Sequence, residues 1–425
     1  MRTYIIYGTV FGLIVSAFGM FAVLFATFTR ALVRFDLPLL FVVYGAGGVW
    51  VLLEFVREVV FYGSSWGHIA YLFHWNTPLI QNASWGGVYV IGFAVVAGTV
   101  GCGLSLYRYV YGGAQNVDKP LSSDTKVSSP PAITGLSAYT WKLVPLLIGL
   151  LPLITLHIYG AIALSVTPQS GTERTVAVLH STLTSVAGAT RQGFETHEAL
   201  IRDALLQQPD LLLLPENIFP AITIDPTDGT PTARASEPAR ALHDRLNALL
   251  RTSPGTLVVI GVHAQEDDRV YNTLAGYRDG ELTHLYRKRV LMPFGEIAPS
   301  FLQEGHLFGM STGERTQSWQ DRAFGTIASL ICSEGAYTRL AGKTVGGVSP
   351  SLILIASNDT IFSHPRIGRM QHTQARFRAI EERAYVARSV KGGISSIIDP
   401  YGREIVHSRE QHSSGILSAT IVLPR

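Results

Sequence analysis

Apolar positions follow two regimes along the chain. Up to about residue 166 they come in unbroken runs, roughly 4–29, 37–62, 85–107 and 143–166. Each run is long enough to cross a bilayer as a helix, which takes about 20 residues. The first is too long for a signal peptide and three more follow it, so it reads as a retained helix. From Thr175 onward short apolar runs alternate with amphipathic stretches. Strands are predicted over 175–183, 210–216, 256–263, 324–332, 351–358 and 394–400, and helices over 191–208, 238–251 and 370–390. Runs such as "DLLLLP" suit strands buried on both faces. The alternation predicts an α/β layered domain covered by helices. Two domains follow: a transmembrane helical domain over 1–170, with about four spans, and a second domain over 173–425.

Charge sharpens this division. Of 34 Lys and Arg only eight precede residue 173, and of 31 Asp and Glu only five, which leaves 26 of each sign for the remainder. The second domain therefore has a balanced, soluble-type surface. A mean hydropathy of +0.25 with 15% charged residues is too apolar for an ordinary soluble enzyme. Arg30 and Arg34 lie in the first loop, and Arg108, Lys119, Lys126 and Lys142 in the third, whereas the second loop has no Lys or Arg. The positive-inside rule makes loops one and three cytoplasmic, so the second domain faces outward. The stretch 112–137 reads as a flexible cytoplasmic linker. No basic patch interleaved with aromatics calls for nucleic acid. Cys102 and Cys332, the two cysteines, make no disulfide framework, and no CxxC or HxxH pair marks a metal site.

Three segments carry candidate chemistry. "DLLLLPEN" ends on Glu216, "HLYRKRVLMPFGE" supplies Lys288 and Glu296, and "ASLICSEG" delivers Cys332. A carboxylate after four leucines and a proline is costly to bury, and burial raises its pKa toward that of a general base. A lysine nearby would stabilise an oxyanion and favour a thiolate. Taken singly, each has a plainer explanation: Glu216 a strand-end acid, Lys288 a solvated cation, Cys332 a core filler.

Together, "LLLLPEN", "YRKRVLMPFGE" and "LICSEG" resemble the nitrilase superfamily, whose Glu, Lys and Cys follow in that chain order. The resemblance covers most of 175–425 and includes "SNDTIF" and "RMQHTQARFRAIEERAYVARSV". It implies an α-β-β-α sandwich. Within the superfamily, "KRVLMPFGEIAP", "WVLLEFVRE" and "TPLIQNASWGGVYVIGF" are similar to the membrane-attached apolipoprotein N-acyltransferase branch. The resemblance implies Glu216 as general base, Lys288 as transition-state stabiliser and Cys332 as nucleophile. It gives Glu296 as a second glutamate near the site, with Asn272, Ser333 and Glu334 lining it. It further implies a monomer in the bacterial inner membrane, with no cofactor or metal. That protein would move an acyl chain from a phospholipid donor, through a cysteine thioester, to a lipoprotein acceptor. The sequence departs from the family pattern in having fewer spans and none after the second domain. Ser333 and Ile361 also stand where the family favours aromatic residues.

Other polar residues have simpler expectations. His68 and His74 read as interfacial groups beside Trp66, Trp75 and Trp85. Glu54 and Arg57 are placed for a mutual salt bridge or a headgroup contact. Arg376, Arg378, Glu381, Glu382 and Arg383 read as a mostly solvated or i,i+4-paired helix face, one member of which could orient the site, and His372 as a packing residue. No GxSxG occurs, which disfavours a serine hydrolase. Two other functional classes stay open beside the acyltransferase: a membrane-tethered amidase or hydrolase, and a non-catalytic scaffold.

Overall fold

The computed structural model describes residues 19–32, 34, 37–60, 66–111, 136–165, 171–188, 190–292, 296, 309–317, 319–362, 364–409 and 413–424. The chain divides into two compact units, Met1–Ser165 and Val166–Arg425.

The first unit holds α1 (Gly19–Leu32), α2 (Leu39–Val60), a 3-10 turn at Ile69–Phe73, α3 (Thr77–Ile80), α4 (Ala83–Tyr111) and α5 (Leu136–Ser165). Three segments, Leu39–Val59, Ala83–Tyr111 and Trp141–Ser165, are long and apolar enough to cross a membrane. The expected first span lies largely outside the described residues, as does most of the expected linker. Leu52, Val59, Leu106, Leu147 and Ile162 leave large apolar side chains exposed, as lipid-facing helices do. Where α4 meets α5 the helices approach backbone to backbone. A Cβ on Gly101 would stand 2.4 Å from the carbonyl oxygen of Pro145. Glycine is what permits that contact.

One expectation for a polar group changes here, and the Glu54–Arg57 salt bridge is found. His68 is buried rather than interfacial, with Nδ1 3.3 Å from Glu54 and Nε2 3.2 Å from Glu58. Arg57 stands 4.0 Å from Glu54, a looser pairing than the histidine makes. Two acids entering an apolar bundle are accommodated by facing a histidine and an arginine.

The second unit comprises β1 (Gly171–Ser181), α6 (Ser185–Gly188), α7 (Arg191–Leu206), β2 (Leu211–Leu213), β3 (Thr223–Ile224), α8 (Glu237–Leu250), β4 (Leu257–Glu266), β5 (Arg269–Arg278), β6 (Glu281–Arg287), β7 (Trp319–Asp321) and β8 (Gly325–Ile331). These are followed by α9 (Leu340–Thr344), β9 (Leu352–Asn358), α10 (Pro365–Glu382), β10 (Tyr385–Lys391), β11 (Ser396–Ile398), β12 (Glu404–His407) and β13 (Gly415–Pro424). The strand path runs β6-β5-β4-β2-β1-β10-β9-β8-β7; β13 adds to β1, β11 and β12 extend from β10, and β3 pairs β4. Its two halves join where His180 and Ser181 of β1 lie beside Val390 and Lys391 of β10.

Side-chain alternation along the strands then builds the layers. Val176, Leu211, Leu213 and Val259 from one half share an apolar cluster with Ile327, Leu352 and Leu354 from the other. The intervening positions face outward. Leu212, Leu214, Val258 and Ile260 meet Phe194, Ile201 and Leu205 of α7 and Leu246 and Leu249 of α8. Leu330, Ile353 and Ile355 meet Leu340 of α9 and Ala375 and Ala379 of α10. The result is the α-β-β-α sandwich that the resemblance implied.

One predicted element is corrected. The helix expected over 370–390 ends at Glu382, where Arg383 caps it in the left-handed region at φ 52°. The chain then re-enters the sheet as β10, between β9 and β1. Arg378 and Glu381 are fully buried rather than solvated, paired at 2.7 Å.

Candidate active site

The site collects at the C-terminal ends of parallel strands. β2 stops at Leu213, and Leu214-Pro215 carry the chain outward to Glu216. β8 ends on Ile331, and the next residue, Cys332, takes φ 52° and opens a 3-10 turn through Ala336. β9 ends on Asn358, and β10 on Lys391. Lys288 follows β6, its N–H donating to the Asn272 carbonyl at 2.8 Å.

Direct hydrogen bonds tie these ends together. Asn272 Nδ2 donates to Glu216 Oε1 at 2.7 Å and to Glu296 Oε1 at 2.9 Å. Glu216 Oε2 accepts from the Asn358 N–H at 2.8 Å, a bond that crosses from one half of the sandwich to the other. Lys288 Nζ lies 2.9 Å from Glu296 Oε1 and 2.7 Å from Oε2. Glu296 Oε2 also accepts from the Met292 N–H at 2.8 Å. Both carboxylates are thus fixed by donors that include strand residues, Asn272 of β5 for both and the Asn358 N–H of β9 for Glu216.

Glu334, two residues past the cysteine, is a structural hub. One of its oxygens accepts from the N–H groups of Arg289 and Val290 at 2.8 and 2.9 Å. The other accepts from Tyr286 Oη at 2.9 Å and the Ile331 N–H at 2.8 Å. It pins the turn bearing Cys332 to the segment bearing Lys288. Beneath that turn, Arg378 donates to the carbonyls of Gly335 and Ala336 at 3.4 and 2.9 Å. Ser333 is buried, and its hydroxyl has no hydrogen-bond partner among the described residues. Ile361, by contrast, is exposed.

Electrostatics follow from burial. Desolvation pushes the Glu216 carboxyl above the usual carboxylate range, against the pull of Lys288. Desolvation and the Glu216 charge push the Cys332 thiol up, with Lys288 opposing. Burial alone would lower the Lys288 ammonium, but Cys332, Glu216, Glu296 and Glu334 surround it and raise it. The resting site is therefore a neutral thiol beside a cation and a carboxylate of raised basicity. Such a site can make a thiolate by proton transfer within itself.

All seven residues expected from the sequence fall in this neighbourhood. Glu216, Asn272, Lys288 and Glu296 are joined by hydrogen bonds, Cys332, Ser333 and Glu334 are consecutive, and Lys288 acts electrostatically on Cys332. Sequence reasoning overlooked Tyr286, the Asn358 N–H and the buried Lys391. The signal for Lys391 lies in the apolar-polar alternation of "YVARSVK", whose first six residues fall inside the helix predicted over 370–390.

Comparison with known proteins adds identity to this geometry. Residues 175–425 match the carbon-nitrogen hydrolase family model, and residues 2–100 match the apolipoprotein N-acyltransferase N-terminal domain. The chain is 28% identical to the apolipoprotein N-acyltransferase of Aquifex aeolicus, across 51% of this chain and 46% of that protein. For that of Geobacter metallireducens the figures are 28%, 83% and 63%. For that of Pseudomonas aeruginosa PAO1 they are 32%, 52% and 43%. The chain thus spans from under half to just under two thirds of the length of these relatives. Among solved structures it is similar to Saccharomyces cerevisiae Nit3, of the nitrilase superfamily. That match has 19% identity and a TM-score of 0.45, and it covers 61% of this chain and 93% of that one. The chain belongs to the carbon-nitrogen hydrolase family, and its N-terminal region is similar to that of apolipoprotein N-acyltransferases.

Proposed function

We propose that the protein is a membrane-bound N-acyltransferase working by a ping-pong route through Cys332. Glu216 takes the thiol proton as Sγ attacks the ester carbonyl of a phospholipid. The carbonyl carbon becomes tetrahedral, and the Lys288 ammonium offsets the charge on its oxygen. Collapse breaks the ester C–O bond. The lysophospholipid leaves with the proton held by Glu216, and a thioester remains on Cys332. The α-amine of a lipoprotein's diacylglyceryl-cysteine then attacks the thioester, and Glu216 receives a proton from the nitrogen. The C–S bond breaks, the thiol is re-formed, and an N-acyl lipoprotein is released.

The observation that carries this proposal is the pairing of a buried, raised carboxylate with a buried thiol and an ion-paired lysine at adjoining strand ends. Asn272, Glu296 and Glu334 hold the three in place. The catalytic unit is taken to face the periplasm or exterior, from the arginines and lysines of loops one and three. The match to carbon-nitrogen hydrolases supports a second outcome, in which water resolves the thioester. Supplying a labelled phospholipid with a diacylglyceryl lipopeptide separates the two. Label on the peptide amine supports acyl transfer, whereas free fatty acid with unmodified peptide supports hydrolysis.

A further inference from the structure

Lys391 closes β10 at the seam where the two halves of the sandwich join. Its register neighbours are Ser181 of β1 and Asn358 of β9. The side chain is completely buried. Its Nζ donates to the carbonyl of Asn217 at 2.8 Å, its one hydrogen bond among the described residues. Asn217 directly follows Glu216 and takes the left-handed φ of 44°. The lysine thus grips the turn that aims Glu216, while its β9 neighbour Asn358 grips the carboxylate itself.

A buried ammonium with two N–H groups lacking a partner among the described residues is costly unless a charge balances it. The surroundings offer one. Lys288 is taken by Glu296, through both carboxylate oxygens. His197 on α7 and His263 on β4 also feel the Lys391 charge, and burial lowers both so that they stay neutral. Glu216 is the carboxylate that acts on Lys391. Glu216 therefore faces two lysines: Lys288 acts on it more strongly, and Lys391 adds a second, weaker positive charge from the β10 side. Burial lowers the lysine to about 8, against the pull of Glu216.

We propose that Lys391 is a positioning residue for Glu216, holding its turn through the Asn217 carbonyl and adding, beside Lys288, a second positive charge that favours the carboxylate. Lys391 touches no reacting atom and acts through the base. This rests on Glu216 and Cys332 having the roles proposed above.

The test uses the full chain in detergent, with a 4-nitrophenyl ester as acyl donor. The rate of Cys332 acylation is read by intact mass across pH 5 to 9. Lys288 remains, but removing the second cation makes Glu216 harder to ionise, so Lys391→Gln moves the acidic limb about half a unit toward higher pH. On that limb the rate falls about threefold, while the alkaline plateau changes little. Lys391→Arg keeps the charge and keeps the wild-type limb. A Lys391→Gln limb coincident with wild type, or a loss equal at every pH, overturns the proposal. If Lys391→Gln does not fold, Lys391→Arg carries the test: a wild-type limb supports the proposal, and a limb moved to higher pH overturns it. A wild-type chain that takes no acyl group on Cys332 overturns the underlying roles instead, which separates the two failures.

Discussion

Cys332 holds a backbone conformation, φ 52°, that costs a non-glycine residue about 1–3 kcal/mol. The site meets that cost with the Glu334 and Arg378 bonds on either side of the turn. Replacing Glu334 by Gln tests this bracing. Each carboxylate oxygen takes two donors, so either orientation of the amide sets its NH2 against groups that donate. We expect a loss of about 2–4 kcal/mol, seen as a lowered Tm, together with a fall in acylation rate. An unchanged Tm would mean the turn is held by something else. Glu216 must be anionic to accept the thiol proton, and burial raises its pKa. Acylation should therefore climb with rising pH through a midpoint above the ordinary carboxylate value, and a rate flat from pH 4 upward would count against Glu216 as base.

Strands and helices were legible to different degrees, for physical reasons. Buried parallel strands carry unbroken apolar runs, so β1, β2, β4, β8 and β9 stand out in the sequence. β5, "RVYNTLAGYR", mixes polar residues into both faces because it supplies Asn272 to the site. It has no helical or strand period strong enough to betray it. β10 was lost because its alternation follows a helix directly, and a left-handed arginine rather than a glycine marks the break. Glu216 and Cys332 are legible because strand ends place them right after apolar runs, whereas Lys288, after the mixed run "HLYR", stands out only beside the other two motifs. Lys391 was hidden by the same misplaced helix boundary. A packing prediction belongs to β4, where Gly261 lies under the base's turn. A Cβ there would stand 2.4 Å from the Pro215 carbonyl oxygen and 2.5 Å from Glu216 Cα. Gly261→Ala must push that turn aside, and displacing a catalytic group by about 1 Å can cost about a hundredfold in rate. A variant with wild-type kinetics would show that the Glu216 turn tolerates such movement.

At the scale of the whole chain, an apolar helical unit and a charge-balanced α/β unit occur in one polypeptide. The three apolar helices predict that the protein stays with membranes through carbonate or high-salt washes and leaves only with detergent. Recovery in the wash would contradict that expectation. Uniting these units suits chemistry in which an acyl chain goes from one membrane lipid to another membrane-anchored molecule. The covalent intermediate on Cys332 is the step on which the proposed function rests. It can be sought by intact mass spectrometry of the full chain after incubation with a phospholipid of defined acyl chain, without acceptor. We expect a mass gain of one acyl group, mapped to Cys332, removed by hydroxylamine and absent in Cys332→Ser. An acyl adduct that persists in Cys332→Ser, or no adduct on a wild-type chain that still transfers acyl groups, would contradict the proposed function.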